Sequence, residues 1–477
     1  MENKIKIVFF LVLSLWLDSC VRYHPREILP EKTLADFKTR SLDSQELRNF
    51  FKANGQIPEW PAKSWGLHSL TLASFFYHPD LDVARAQWAV AEAGRITAGE
   101  RPNPDINLSV EYNSSLKGSD AQIWSPELTF DITIETAGKR GYRISQARQL
   151  SRSAYLNIRS VAWQVRSRLR QAFLELYAAL QQYTILDRQQ LILTENFHIM
   201  EKQLAVGAIS AYELAQANIA LQNNRLELIS AEQNQAQARI KLASALGLPI
   251  ASLEGVKFDF TDVNQYDFVI PDAVARQRAL LNRSDILVSL ADYAACQSAL
   301  QLEIAKQYPD IHLGPGYFLD QGEKKWILGF SLSLPIFNNN HGPIYEAQAR
   351  RQEAASRFLA LQTTVLNTID QAAAGLHSCH EQVLAADEIV KDLQKQTERA
   401  QAMFKLGEIS KAELLAIQVE LGTAEASQLN ARIKIQEALG TLEDAMQDSL
   451  ELDTWLASGG QKPFRERVSG LPKAFDY

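Results

Sequence analysis

One turn occurs twice in the chain: Leu204-Ala-Val-Gly207-Ala-Ile-Ser210-Ala-Tyr-Glu213-Leu214 recurs as Phe404-Lys-Leu-Gly407-Glu-Ile-Ser410-Lys-Ala-Glu413-Leu414. In each copy the Gly can take the left-handed conformation that ends a helix, while Ser and the Glu three residues on form a capping box that starts the next. Two helical hairpins follow, and the chain reads as a duplicated unit.

The helices entering these turns are long. Ile158, Ala162, Val165, Leu169, Ala172, Leu176, Ala179, Tyr183, Leu186, Gln190, Leu193, Phe197, Met200 and Leu204 follow spacings of four and three, and the same phase runs from Phe358 through Ile369, Leu376, Val383 and Val390 to Phe404. A seam sustained over more than three heptads predicts coiled-coil packing, and about 65 residues at 1.5 Å each make a rod of roughly 100 Å. Return helices are expected over about 211–246 and 411–447, with further helices over 80–100 and 285–307.

Between the helices lie strands. Leu128, Phe130, Ile132 and Ile134 alternate with polar residues, as do Leu328, Phe330, Leu332 and Leu334, and Trp124 and Trp326 stand where interfacial aromatics belong. Asp105–Tyr112 and Asp310–Phe318 supply upstream partners, with polar loops at Ser114–Gln122 and Asp320–Lys325. Each repeat thus contributes one hairpin with a greasy and a wet face. Four strands leave two open edges, whereas membrane barrels close with at least about eight strands. The chain is therefore expected to close a barrel with copies of itself, and the rods below would line a tube.

The N-terminus reads as an address. Lys4 and Lys6 precede a short apolar run, Ile7–Leu17, of secretory form, and Leu17-Asp18-Ser19-Cys20 resembles a bacterial lipoprotein box with Cys20 as the acylated residue. Asp18 departs from the usual small residue. A net charge of −7 with interspersed signs points away from nucleic acid, and Cys296 and Cys379 are too few for a disulfide scaffold.

The paired Gly-x-Ile-Ser-x-x-Glu turns, Pro104-Asp105 with Pro309-Asp310, and Leu334-Pro335-Ile336-Phe337-Asn338 resemble the TolC-type outer-membrane efflux proteins over nearly the whole mature chain. The resemblance implies a mainly α protein with membrane β structure, in which duplicated helix, β-hairpin and long helical hairpin units build a trimeric α-barrel tunnel topped by a shared twelve-stranded transmembrane β-barrel. The trimer number comes from that likeness, since the strand count also permits a dimer. Implied partners are a periplasmic adaptor, an inner-membrane pump of the resistance-nodulation-division class and the outer membrane. Ile134-Glu135-Thr136-Ala137-Gly138-Lys139-Arg140-Gly141 with Arg143 is similar to the heavy-metal branch of the family, save for Ala137 where a second Gly is usual. Drug efflux and type I secretion use the same scaffold. A soluble lipid-anchored periplasmic coiled-coil adaptor is the alternative of another class.

The expected organisation is a signal peptide at 1–19, an N-terminal equatorial segment at 20–78, repeat 1 at 79–249, a linker at 250–283, repeat 2 at 284–448 and an equatorial tail at 449–477. The resemblance puts a closing gate at the tips, with Gly207, Ser210, Glu213, Gly407, Ser410 and Glu413; the two Glu are already explained as capping-box carboxylates. Ala208, Ile209, Glu408 and Lys411 are the expected adaptor contacts. His377, Cys379 and His380 look like metal ligands, but Cys379 falls on the apolar seam where its repeat partner is Ala179, and both His read as exposed. No resident metal, cofactor or enzyme motif is expected.

Overall fold

The structure is a computed structural model describing residues 23–53, 60–114, 123–264, 273–320 and 322–447. The signal segment, Cys20, residues 115–122 and 265–272 and the tail from 448 lie outside the described residues. Helices α1 (Pro30–Lys38), α2 (Gln45–Ala53) and α3 (Leu67–Tyr77) precede the first repeat. That repeat holds α4 (Pro79–Gly99), β1 (Asp105–Tyr112), β2 (Trp124–Ile134), α5 (Lys139–Ala205) and α6 (Ala211–Leu246). Helix α7 (Ala273–Asn282) leads into the second, with α8 (Ser284–Ala305), β3 (Ile311–Asp320), β4 (Glu323–Leu332), α9 (His341–Leu406) and α10 (Lys411–Met446).

Helices α5 and α9 run for 67 and 66 residues, so each is about 100 Å long. Along α5 the seam is buried from Ile158 to Leu176 and again at Leu186; along α9 it is buried at Val365, Ile369, Ala372, Leu376, Val383, Val390, Thr397 and Ala400. Helix α6 folds back on α5 and α10 on α9, while α10 also lies against α5 and joins the repeats. Cys379 packs half-buried against the α9 seam. His377 is exposed, but His380, expected on the surface, is half-buried because it sits one position round the helix from Cys379.

Among the described residues four strands form one antiparallel sheet in the order β1-β2-β3-β4, leaving β1 and β4 as edges. Register aligns the apolar positions: Ile106 opposite Phe130, Leu108 opposite Leu128, Ile132 opposite Leu313, Leu313 opposite Phe330 and Ile311 opposite Leu332. Directly opposed residues share a face, so these side chains make one continuous apolar surface, while Asn107, Ser109, Thr129, Asp131, Thr133, His312 and Ser331 make the other. The second hairpin departs from the expected loop at Asp320–Lys325. Its strands reach Asp320 and Glu323, and Lys325 donates to Asp320 at 2.7 Å across the turn. Charge at these positions marks the watery end of a strand, not its absence. Leu334, expected in β4, lies beyond it, because β3 begins at Ile311 opposite Leu332 and offers no further partner.

A belt girdles repeat 1. Trp65 and Phe258 form a parallel bridge, with Trp65 N–H donating to Lys257 at 2.9 Å and Asp259 N–H to Trp65 at 3.0 Å. Trp65 packs edge on against Phe51 and Trp60, and Phe173 and Tyr177 of α5 meet Phe260 at 4.7 and 5.2 Å between ring centres. The two return helices end alike. Gly247 (φ 73) docks on Tyr77, with Arg40 donating to the carbonyls of Tyr77 (3.1 Å) and Gly247 (3.0 Å). Gln447 (φ 45) accepts from Ser284 N–H and Oγ at 3.0 and 2.9 Å, and Arg283 donates to the carbonyls of Asp444 and Ala445.

Candidate channel: sheet, junction and hairpin tips

The tips have the geometry that their sequence dictates. Gly207 and Gly407 adopt φ 73 and 77, and Ser210 and Ser410 cap α6 and α10. Glu213 accepts from Ser210 N–H at 2.7 Å and Glu413 from Ser410 N–H at 2.7 Å, while each Ser Oγ accepts from the Glu backbone N–H at 3.3 and 3.2 Å. The Ser N–H groups first, and second the Ser hydroxyls, which donate to the same carboxylates at 2.8 and 3.0 Å, hold both carboxyls below the ordinary glutamate range. Both remain exposed and ionised at neutral pH.

The residues expected to meet an adaptor divide. Ala208 and Glu408 are exposed and Ile209 is half-buried. Lys411 is half-buried and paired: its Nζ lies 3.2 Å from Glu195 of α5 and 5.4 Å from the centre of the Phe404 ring. The reason is that α10 leans on α5, which offers Lys411 a carboxylate where the matching Ala211 of the first tip has no charge to pair.

That α5 to α10 contact is the part of the site that the sequence hid. Arg188 bonds Glu425 at 2.6 Å, and both Arg166 (2.7 Å) and Arg170 (2.6 Å) bond Glu443. Two glycines of α10 admit the α5 side chains: a Cβ on Gly422 would stand 2.6 Å from Gln189, and one on Gly440 would stand 3.0 Å from Arg170. Burial lowers the Arg170 guanidinium from its ordinary range and Glu443 opposes that shift. The visible signal was Arg166 and Arg170 beside an otherwise apolar seam, which marks a charged partner without naming it.

Where sheet meets tunnel, the segment 134–141 gains a physical role. Ala137 and Gly138 turn through positive φ (53 and 72), and α5 begins at Lys139. Lys139 is buried and bonds Asp310 at 2.8 Å; Thr136 N–H donates to the same carboxylate at 2.9 Å and Thr136 Oγ1 to the Pro309 carbonyl at 2.7 Å. Arg143 pairs with Glu135, and Arg140 donates to the Gly99 carbonyl at 2.6 Å. This cluster welds the strand-to-helix junction of repeat 1 to the helix-to-strand junction of repeat 2.

On the wet face, Asp105, Glu111, Glu127 and Asp131 belong to β1 and β2, and His312 Nδ1 sits 3.0 Å from Asp131. Among the described residues no three His, Cys, Asp or Glu side chains converge to hold a metal ion, and no helix is long and apolar enough to cross a membrane.

A sheet apolar on one face and acidic on the other, mounted on paired 100 Å hairpins, defines the protomer of an outer-membrane channel. The chain belongs to the outer membrane efflux protein family, whose pattern matches residues 77–248 and 275–446, one match per repeat. It is 25% identical over 287 residues to the cobalt-zinc-cadmium resistance protein CzcC of Cupriavidus metallidurans, covering 59% of this chain and 65% of that one. Thus the match spans somewhat less than two thirds of that relative. The pyoverdine export outer membrane protein OpmQ of Pseudomonas aeruginosa is 24% identical over 77% of this chain and 78% of its own. The cation efflux system protein CusC of Escherichia coli K12 is 23% identical over 70% and 74%. The fold matches a crystal structure of CusC with a TM-score of 0.66 at 20% identity, over 80% of this chain and 91% of that one. It also matches the Campylobacter jejuni CmeC outer membrane channel with a TM-score of 0.66 at 17% identity, over 96% and 99%.

Proposed function

We propose that the protein is the outer-membrane conduit of a tripartite efflux pump and that heavy-metal cations are its preferred cargo. The observation that carries this reading is the pair of open edges, β1 and β4, on a sheet with a continuous apolar face. Unpaired backbone groups facing lipid cost several kcal/mol each, so copies of the chain close one barrel, three of them by the family likeness, and their helices line one tunnel. The conduit does no bond-making chemistry; cargo enters from a periplasmic adaptor and an inner-membrane resistance-nodulation-division pump, and leaves through the barrel. Acylated Cys20 anchors the assembly in the outer membrane.

The cation preference has two supports: relatives named for cobalt-zinc-cadmium resistance and for cation efflux, and the wet-face carboxylates Asp105, Glu111, Glu127 and Asp131, which would repeat around a closed wall. At the far end, Glu213 and Glu413 from each subunit would form a carboxylate mouth that repels itself and attracts cations. Ala208, Ile209 and Glu408 are the tip residues offered to the adaptor, with Lys411 holding the second hairpin in place. Deleting the gene in its host and screening zinc, cobalt and cadmium beside dyes, detergents and antibiotics tests the reading. Loss of tolerance to the metals alone supports it; dye or drug sensitivity with unchanged metal tolerance transfers the conduit to small organic molecules.

A further inference from the structure

The chain contains one complete seam between its repeats and two halves of another. The two hairpins correspond residue by residue. Pro104-Asp105 matches Pro309-Asp310, and because Ile106 lies opposite Phe130 and Ile311 opposite Leu332, Phe130 matches Leu332. The same correspondence places Trp124 on Trp326 and Gly138 (φ 72) on Asn340 (φ 59), both left-handed, and Lys139 on His341, the first residues of α5 and α9. Even the tie to the preceding helix is kept: Arg140 donates to the Gly99 carbonyl, and Asn340 Nδ2 to the Glu303 carbonyl at 2.7 Å.

Within one chain the complete seam joins β2 to β3, with Leu128 opposite Tyr317, Ile132 opposite Leu313, Ile134 opposite Ile311, and the Lys139–Asp310 bond sealing its lower end. The incomplete seam has β4 and residues 333–341 on one side of the molecule and Pro104 with β1 on the other. Among the described residues nothing covers either half. Leu334, Ile336 and Phe337 are exposed, as are Ile106, Leu108, Val110 and Tyr112, and Asp105 lacks the Lys that its counterpart Asp310 bonds.

We infer that the second seam repeats the first between subunits: β4 pairs antiparallel with the partner's β1, with Phe330 opposite the partner's Tyr112, Leu334 opposite the partner's Leu108 and Ile336 opposite the partner's Ile106. His341 and the partner's Asp105 then take the places of Lys139 and Asp310. The inference rests on the shared-barrel reading and adds its register. Pairing extends β4 through Ile336, giving the exposed segment beyond Leu332 the backbone partner that β3 does not supply. Once the Ile336 N–H exchanges its bond to the Leu334 carbonyl (2.8 Å) for the partner strand, the faces agree: Leu332, Leu334 and Ile336 fall on the apolar side with the partner's Val110, Leu108 and Ile106, and Ser331 meets the partner's Glu111 on the wet side. A slip of one residue would set each apolar side chain against a wet one.

Cysteine pairs read the register directly, because directly opposed antiparallel residues lie about 4.5–5.5 Å apart at Cα, within disulfide reach. In a full-length protein carrying Cys296→Ala and Cys379→Ala, Ser331→Cys with Glu111→Cys should give covalent trimers on mild oxidation, at least about tenfold more than Ser331→Cys with Ser109→Cys or Ser333→Cys with Glu111→Cys, whose partners are two residues out of line. As a second arm, His341→Asp should lower the temperature at which the native oligomer dissociates on gels, and adding Asp105→Asn should restore most of the loss. Preferential linking of a flanking pair, or oligomers in which no pair links, overturns the register while the shared barrel stands. A single-copy particle with no linking removes both.

Discussion

Gly440 of α10 makes the notch that Arg170 of α5 fills: a Cβ at Gly440 would stand 3.0 Å from Arg170 Nε and 3.2 Å from its Cδ. Arg170 cannot swing away freely, since it is buried and bonded to Glu443 at 2.6 Å. Gly440→Leu should therefore force the two helices apart, at the ~1–3 kcal/mol typical of overpacking. A thermal melt followed by circular dichroism checks it, and an unchanged midpoint would mean that the helices are not held at this spacing.

Gly247 has less latitude still. Its φ of 73 and the 2.8 Å from a built Cβ to the Tyr77 carbonyl oxygen leave no room for a side chain. Gly247→Ala should cost at least about 1–2 kcal/mol from the left-handed backbone alone, and more from the backbone contact. Gln447, its counterpart, is also left-handed but has Ser284 to bond. The two substitutions Gly247→Ala and Gln447→Ala should thus differ in cost, with the first the larger, as measured by denaturant unfolding.

The capping boxes set a pH dependence at the tips. Because the Ser210 and Ser410 bonds depress the native carboxyl range of Glu213 and Glu413, their contribution is present above the ordinary glutamate range and is lost as pH falls through the depressed native values. Amide exchange at residues 210–214 and 410–414 should accelerate in acid relative to the belt, and Glu213→Gln with Glu413→Gln should flatten that difference. Exchange at the tips that follows the belt at every pH would contradict the assignment.

Lys411 links the second hairpin to α5 through Glu195. Lys411→Glu turns this contact into a repulsion, so the tips should part and single-channel conductance in a planar bilayer should rise. Glu195→Lys on the same chain restores opposite charges and should bring conductance back. A conductance indifferent to both changes would place the constriction elsewhere.

The two faces of the sheet make opposite demands. Phe130 lies on the apolar face and Thr129 on the wet face of the same strand. Phe130→Lys should cost about 2–4 kcal/mol near the bilayer midplane and reduce assembly in the outer membrane, whereas Thr129→Lys should assemble normally. Membrane fractionation of the two variants measures it.

How much of this was legible in the sequence follows from how local each cause is. The tips were, because Gly207, Ser210 and Glu213 specify a stop and restart within seven residues. The long helices and strand faces were, because periodicity is a local record of burial. The β3–β4 turn was misplaced because Lys324 and Lys325 look like loop residues when the end of a strand emerges into water. The belt was illegible because its causes are remote: Trp65 meets Phe258, and Arg40 caps a helix that ends at Gly247. For the same reason the Lys411 pairing is invisible in the sequence, since Glu195 is close to it only after the repeats have packed.

The central claim is that one chain supplies only an arc of the wall. Native mass spectrometry of the full-length protein extracted from membranes in mild detergent measures this directly. The account predicts a particle of three copies that keeps its mass on dilution; a stable single-copy particle would contradict it.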